Sequence, residues 1–455
     1  MNKTLVKLAH RLICLGLIFS LVLISSACKL EKTEAKSGVA RFGSLGRSYA
    51  LDMVETYPFR SSASKEEEQF ADYLVNELTK LRVSVEKIPF QYRSEDGTEK
   101  KSFNVVARFK GRGFEPLELE ADDPLKGSKE MTAPEQLEGR KIILGAHYDS
   151  AISKEEADAS VIAPEGEAAL DEFGNLLPAE ARPLPLTEAD GIDDNASAVA
   201  CLLTVANLFV GEQPAYDVDI VFFGAGHDGF AGAKAYAASI PDEEKALIDA
   251  MINLDSIYAG DKVYAHAGVN SVQNAGYKSY ALRRKLYECT DVYYDNYLLT
   301  RNGFALYTNQ MGCDKELNGE TVVYREWSTR ESDHSPFDRL GLPIVFFESA
   351  DYDVEDCQLE VKESNDPYFA PVEGMIRGSA YDSSKRLLQY FVPEGQAKDV
   401  GYFGSSENQE DKEDEEDEED DAYLKRVDRL EIRINNLAFI ITEVCHKGPA
   451  GTKAK

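Results

Sequence analysis

Two hydrophobic periods alternate along this chain. Ser64 with Glu67 forms a capping box, and Phe70, Leu74, Leu78 and Leu81 follow on one face, which predicts an amphipathic helix. Short apolar runs then read as strands: Val83 to Ile88, Phe103 to Phe109, Lys141 to Gly145, Val218 to Phe223, Met251 to Leu254 and Pro343 to Phe347. Several are continuous β-branched and aromatic runs, as expected of strands covered on both faces. Helical patterns at Ala196 to Val210, Gly232 to Ser239 and Ile376 to Phe391 alternate with them. The alternation predicts a three-layer α/β/α sandwich around a mostly parallel central sheet, spanning residues 45–395.

The pattern changes outside and within that span. Residues 150–190 form an acidic insert with Pro164, Pro178, Pro183 and Pro185, expected at the rim of a site. Residues 396–422 form an acidic linker, expected to be disordered: Glu407 to Asp421 holds twelve acids and one lysine, which repel one another and offer nothing to bury. Over residues 423–446 apolar positions return as Tyr423, Val427, Leu430, Ile434, Leu437, Ile441 and Val444, spaced by four and three. That spacing predicts an amphipathic helix that either forms a short coiled coil with a second copy of the chain or packs back on its own domain.

Composition narrows the class. With 43% hydrophobic residues, 455 residues suffice for a large core, and the net charge of −31 argues against nucleic-acid binding. Lys3, Lys7 and Arg11 precede an apolar run from Leu12 to Leu23 and then Cys28, which resembles a lipoprotein signal peptide over residues 1–27. A lipid on Cys28, followed by a flexible tether over 28–44, would hold the folded part at a bacterial cell envelope. Because Ser25 stands where such signals usually carry leucine, an uncleaved N-terminal anchor is the alternative; both export and tether the chain. The remaining cysteines at 201, 289, 313, 357 and 445 are odd in number and scattered, which suggests no disulfide framework.

The chemistry lies where the strands end. His147 in GAHYDS, His227 in FFGAGHDGF and His334 in SDHSPF supply three imidazoles, while Asp194 in GIDDN and Asp255 in NLDS supply carboxylates. Ligands bind beyond the C-terminal strand ends of such sheets, where His147, His227 and Asp255 are expected. Nitrogen and oxygen donors suit zinc in a hydrolytic site, and the chain has no CxxC pair for a structural zinc finger.

In order and spacing, GAHYDS, GIDDNASAVA, FFGA with GFAGAKAY, NLDS and SDHSPFDRLGLP resemble the co-catalytic zinc aminopeptidases of the bacterial leucyl aminopeptidase and aminopeptidase Y type, related to glutamate carboxypeptidase and glutaminyl cyclase. The resemblance covers about Tyr49 to Phe391 and implies two zinc ions, peptide substrates and removal of N-terminal residues. It implies that His147 and Asp255 bind one zinc, His334 the second, and Asp194 both, with Asp149 orienting His147 and a strained peptide between Asp194 and Asn195. One motif departs: where relatives carry a glutamate base and a glutamate ligand, this chain has Gly226 and His227. His227 keeps a ligand; Gly226 cannot move a proton. Asp228 is then the candidate base, with helix capping as its alternative role. Carboxypeptidase action, a glutaminyl cyclase-like enzyme and a catalytically degenerate zinc-binding surface protein remain as competing readings. The aromatic stretch from Tyr293 to Tyr297 either lines a pocket or is ordinary packing.

Overall fold

The computed structural model describes residues 43–118, 132–162, 184–274, 276–296, 304–308, 310, 313–324, 330–355, 358–391 and 428–455. The signal peptide, Cys28, most of the tether, residues 163–183 of the insert, the acidic linker, and Tyr423, Val427, Tyr297 and Cys357 lie outside them. The main sheet contains β1 (Ser84–Arg93), β2 (Glu99–Phe109), β4 (Lys141–His147), β5 (Asp217–Phe223), β6 (Ile248–Asp255), β7 (Lys262–His266), β8 (Leu306–Thr308), β11 (Ile344–Glu355) and β12 (Gln358–Lys362), while β3 (Phe114–Pro116), β9 (Cys313–Leu317) and β10 (Glu320–Tyr324) lie outside it. Its order is β1-β2-β5-β4-β6-β11-β7-β8, with β12 paired to β11. The four central strands β5, β4, β6 and β11 run parallel, and antiparallel pairings of β2 with β5 and β7 with β11 extend the sheet on either side.

Continuous apolar strands arise because both faces are covered. On β4, Ile142 and Leu144 enter one core and Ile143 the other; on β5, Val218, Ile220 and Phe222 oppose Val221 and Phe223. This is the period-two alternation of a pleated strand, with apolar residues demanded on both sides. The larger core lies under helices Lys65–Lys80, Ala198–Gly211, Tyr277–Asp295 and Ser384–Phe391, and the smaller under Ala231–Ser239 and Ser335–Arg339. The result is the expected three-layer sandwich, with a mixed sheet whose centre is parallel.

The C-terminal helix belongs to that sandwich. Helix Arg429–Val444 buries Leu430, Ile434, Leu437, Ile440, Ile441 and Val444 completely. Its backbone approaches the Ala198–Gly211 helix closely enough for the Cys201 thiol to reach the Ile434 carbonyl at 3.6 Å. Arg433 donates to the carbonyls of Tyr258 (2.7 Å) and Gly260 (2.6 Å), and Thr452–Ala454 pairs with Phe114–Pro116 as a separate two-stranded sheet. The described seam positions are therefore consumed inside their own domain. Of the two fates expected of this helix, packing back on its own domain is the one the described residues show: spacings of four and three suit any helix with one apolar stripe, and here sheet-covering helices receive it.

Two smaller expectations also shift. The helix expected from Ile376 starts at Ser384, after a turn in which Gly378 takes φ +65°. The capping box forms only by half: Ser64 accepts from the Glu67 N–H at 3.0 Å. The Glu67 carboxylate is buried and accepts instead from Ala63 N (2.8 Å), Ser102 Oγ (2.9 Å) and Ala225 N (2.7 Å). Tyr293 packs with its hydroxyl donating to the Phe304 carbonyl, and Tyr294 is 72% exposed, so the described aromatics of that stretch line no site cavity.

Candidate metal centre

Parallel strands end together, and three motifs meet there. The register pairs His147 with Phe223 across β4 and β5, while β6 ends beside them at Asp255. Asn195 ties these ends to the Asp194 loop: its Nδ2 donates to the carbonyls of His147 and Leu254, each at 3.2 Å, and its Oδ1 accepts from Ser256 N at 2.9 Å. The Asp194–Asn195 peptide is cis. Asp382 accepts the N–H groups of Asp193 (2.8 Å) and Asp194 (3.2 Å), completing the support beneath the loop.

Asp149 organises the other side. Its fully buried carboxylate accepts from Gly226 N (2.8 Å), His227 N (3.0 Å) and Ser62 Oγ (2.6 Å), and lies 3.3 Å from His147 Nδ1. His147 Nδ1 thus faces Asp149, which turns Nε2 towards the Asp194 carboxylate. His147 Nε2 faces Asp194 Oδ1 at 3.1 Å, and His227 Nε2 faces Asp194 Oδ2 at 3.6 Å. Asp194 Oδ1 is buried and has no hydrogen-bond donor among the described residues. His147 Nε2 and Asp194 Oδ1, 3.1 Å apart, therefore share one cation, either the proton of a charged imidazole or a metal ion that takes its place. The two separations bracket the edge of a zinc tetrahedron, about 3.3 Å for bonds of about 2.0–2.1 Å. His147, Asp194 and His227 offer donor atoms all within 4.8 Å of one another. The donor set and its spacing fit zinc.

The local field favours a cation as well. Burial opposes a charged ring at His147, yet Asp149, Asp194 and Asp255 hold its pKa well above the ordinary value. Burial raises Asp194 and Asp255, but His227 and His147 for the first, and Arg330 and His147 for the second, keep both below the usual carboxylate range. A cavity of about 480 Å³ opens onto His147, Asp194, His227, Asp255 and Arg330.

Two expected ligands stand apart from the three-residue cluster. Asp255 Oδ1 lies 3.6 Å from His147 Nε2, and its Oδ2 accepts from Arg330 Nη1 (2.8 Å) and Ser332 Oγ (2.6 Å). His334 is buried and stacked on Phe346, ring centroids 4.4 Å apart, and burial with the nearby Arg330 charge lowers its pKa to about 3. Its Nδ1 finds no partner among the described residues.

Asp228 points elsewhere. Its carboxylate accepts from Tyr92 Oη (2.6 Å) and Lys100 Nζ (2.9 Å) on the outer β1–β2 hairpin, and it does not line the cavity. It does not cap the next helix either, whose N-cap is Phe230 in a left-handed conformation. Both roles expected of Asp228 are therefore replaced by a third, anchoring the loop to the hairpin. The physical reason is local: the hairpin offers this carboxylate a hydroxyl donor in Tyr92 and a cation in Lys100.

The match to the family of known sequences covers residues 130–366, over half of the chain and all five motifs, and is to peptidase family M28. The chain belongs to peptidase family M28. This M28 chain is 23% identical over 229 residues to the alkaline phosphatase isozyme conversion protein of Escherichia coli (strain K12), covering 50% of itself and 55% of that protein. It is 28% identical over 170 residues to leupeptin-inactivating enzyme 1 of Streptomyces exfoliatus, covering 37% of itself and 31% of that enzyme. It thus spans about half and about a third of these relatives' lengths. Among solved structures it is similar to the Porphyromonas gingivalis glutaminyl cyclase (TM-score 0.43, 16% identity, 76% of this chain and 92% of that one). It is likewise similar to the zinc aminopeptidase BSAP of Bacillus subtilis (TM-score 0.44, 12% identity, 76% and 91%).

Sequence reading did not single out Arg330 and Ser332, which donate to Asp255, or Glu348, which accepts from Arg330. Ser332 opens the SDH motif and Arg330 lies two residues before it, a signal available in the chain; Glu348 sits mid-strand and becomes visible only through its register with Asp255.

Proposed function

We propose that this chain is a zinc exopeptidase that removes N-terminal residues from peptides, exported and held at a bacterial envelope through its N-terminal segment. The convergence of His147 Nε2 on Asp194 Oδ1, 3.1 Å apart inside a family of peptidases, carries the reading. A zinc ion there supplies polarisation of a carbonyl and a water acidic enough to ionise near neutral pH. The chain's own residues do the rest: His147, Asp194 and His227 hold the ion, and Asp149 fixes the His147 ring and the backbone of the 226–227 loop. The apolar run after Lys3, Lys7 and Arg11 supports export, and Cys28 supports a lipid anchor.

No carboxylate stands at 226, so turnover is expected to lack the roughly 10²- to 10⁴-fold contribution of a positioned base. That observation favours one rival: a protein that keeps the metal and uses the fold for surface binding. A panel of aminoacyl chromogenic substrates and N-blocked peptides, with and without chelator, separates the readings. Zinc-dependent release from free N-termini supports the aminopeptidase; release from C-termini alone replaces it with a carboxypeptidase. Cyclisation of N-terminal glutamine without hydrolysis marks a cyclase, and zinc binding without any turnover favours the binding protein.

A further inference from the structure

Three arginines line the cavity at the strand ends, and two of them are already spent. Arg330 donates to Asp255 Oδ2 at 2.8 Å and to Glu348 Oε2 at 2.7 Å, and Arg339 pairs with Glu331. Glu95, in the turn between β1 and β2, and Lys234, on the Ala231–Ser239 helix, also line the cavity, but both are exposed, where water and salt screen their charge. Arg377 differs from all of these. It lines the same cavity with a side chain only 15% exposed.

Its position is fixed from behind. The wholly buried Glu363 carboxylate accepts from Arg377 Nε, from Arg377 N at 2.8 Å and from Ile376 N. Glu363 N and Ser364 N donate in turn to the Gly374 carbonyl at 3.0 and 3.1 Å, which closes the turn that carries Arg377 onto the end of β12. The guanidinium is thus anchored through Nε alone. Neither Nη has an acceptor among the described residues, and neither is sealed from solvent, so both open to the cavity. Two N–H donors on a rigid plane match the two oxygens of a carboxylate. Recognition here rests on those unspent donors and not on net charge, since Glu363 balances Arg377 as Glu348 balances Arg330.

His147, Asp194 and His227 face the same cavity of about 480 Å³, so one bound molecule can reach them and Arg377 together. We propose that Arg377 is a specificity-determining residue: its Nη pair receives a substrate carboxylate, and the chain acts on peptides that carry a negative charge on the cleaved or the adjoining residue. Such a carboxylate comes from an acidic side chain or from the C-terminus of a dipeptide. The proposal rests on the exopeptidase reading above and names its substrate class.

Values of kcat/KM for the zinc-loaded full chain on two matched pairs test it. The p-nitroanilides of glutamate and glutamine differ in a side-chain carboxylate, and the dipeptide leucyl-glycine and its amide differ in a terminal one. In at least one pair the charged member should lead its neutral partner by about tenfold or more, the scale of charge-assisted hydrogen bonds, and the pair that shows it identifies the source. Arg377→Lys keeps a cation on Glu363 but has one nitrogen to share, so the preference should fall at least about threefold. Arg377→Met should abolish it; should that variant fail to fold by circular dichroism, Arg377→Lys decides. A wild type that turns over without preference in either pair overturns the proposal and leaves the peptidase reading standing, and a preference undiminished in Arg377→Lys overturns the role given to Arg377. If none of the four compounds is turned over, the peptidase reading fails, and calorimetric titration of the same compounds decides. Tighter binding of a charged member, weakened in Arg377→Lys, keeps the carboxylate site; equal binding or none overturns it.

Discussion

A Cβ atom added to Gly226 would stand 2.5 Å from the Cβ of His147 and 3.0 Å from Asp149 Oδ1. No side chain fits there without moving the strand end that carries His147. The missing glutamate is therefore built into the packing of the centre, and the 226–227 backbone uses the space to reach Asp149.

Restoring a carboxylate by Gly226→Glu should fail to raise turnover. It should lower zinc retention and cost about 1–3 kcal/mol of stability by overpacking. Equilibrium urea unfolding together with metal analysis checks both; a Gly226→Glu protein that is stable and faster would show that the loop yields.

Asp228→Asn should leave peptidase turnover within about twofold and cost no more than about 1 kcal/mol, the scale of a partly exposed ion pair. Its partners Tyr92 and Lys100 hold it on the outer hairpin. Steady-state kinetics beside His147→Ala, which should abolish zinc-dependent turnover, supply the contrast. A large drop in the Asp228 variant would return it to the reaction.

The C-terminal helix should behave as core. Leu437→Ala should cost about 2–5 kcal/mol, since this side chain is wholly buried. The protein should also remain monomeric at this helix. A shift in oligomeric state with little loss of stability, read by light scattering and urea titration, would instead mark the helix as an interface.

Acid should loosen the layer behind the centre. Burial would raise the Glu348 pKa, but Arg330 and His266 bring it down to about 2, below the value of about 4.5 expected when unfolded. The unfolded chain then takes up this proton first, so the stabilisation is complete above about pH 4.5 and is lost as pH falls towards 2. The difference amounts to about 3 kcal/mol. Glu348→Gln should flatten that part of the pH–stability curve in denaturant titrations between pH 6 and 3; an unchanged slope would exclude Glu348 as its source.

Much of this protein was legible along the chain because its signals are local. Continuous apolar runs such as Lys141 to Gly145 declare strands covered on both faces, and a histidine two residues before Asp149 at a strand end declares an oriented ligand. Those features determined the α/β sandwich, the five motifs and their zinc-binding chemistry. What remained hidden depends on distance in sequence. The fate of the stripe Leu430, Ile434, Leu437 and Ile441 turns on which neighbour receives it, and a stripe looks the same whether the receiver is a second copy or a helix more than two hundred residues away. Asp228 is adjacent to His227 in sequence, but Lys100 and Tyr92 decide its direction. Arg330 acquires its meaning only when strand register sets Glu348 beside Asp255. Periodicity and donor chemistry are written residue by residue; competition for a charge or a buried face is settled only when the chain closes on itself.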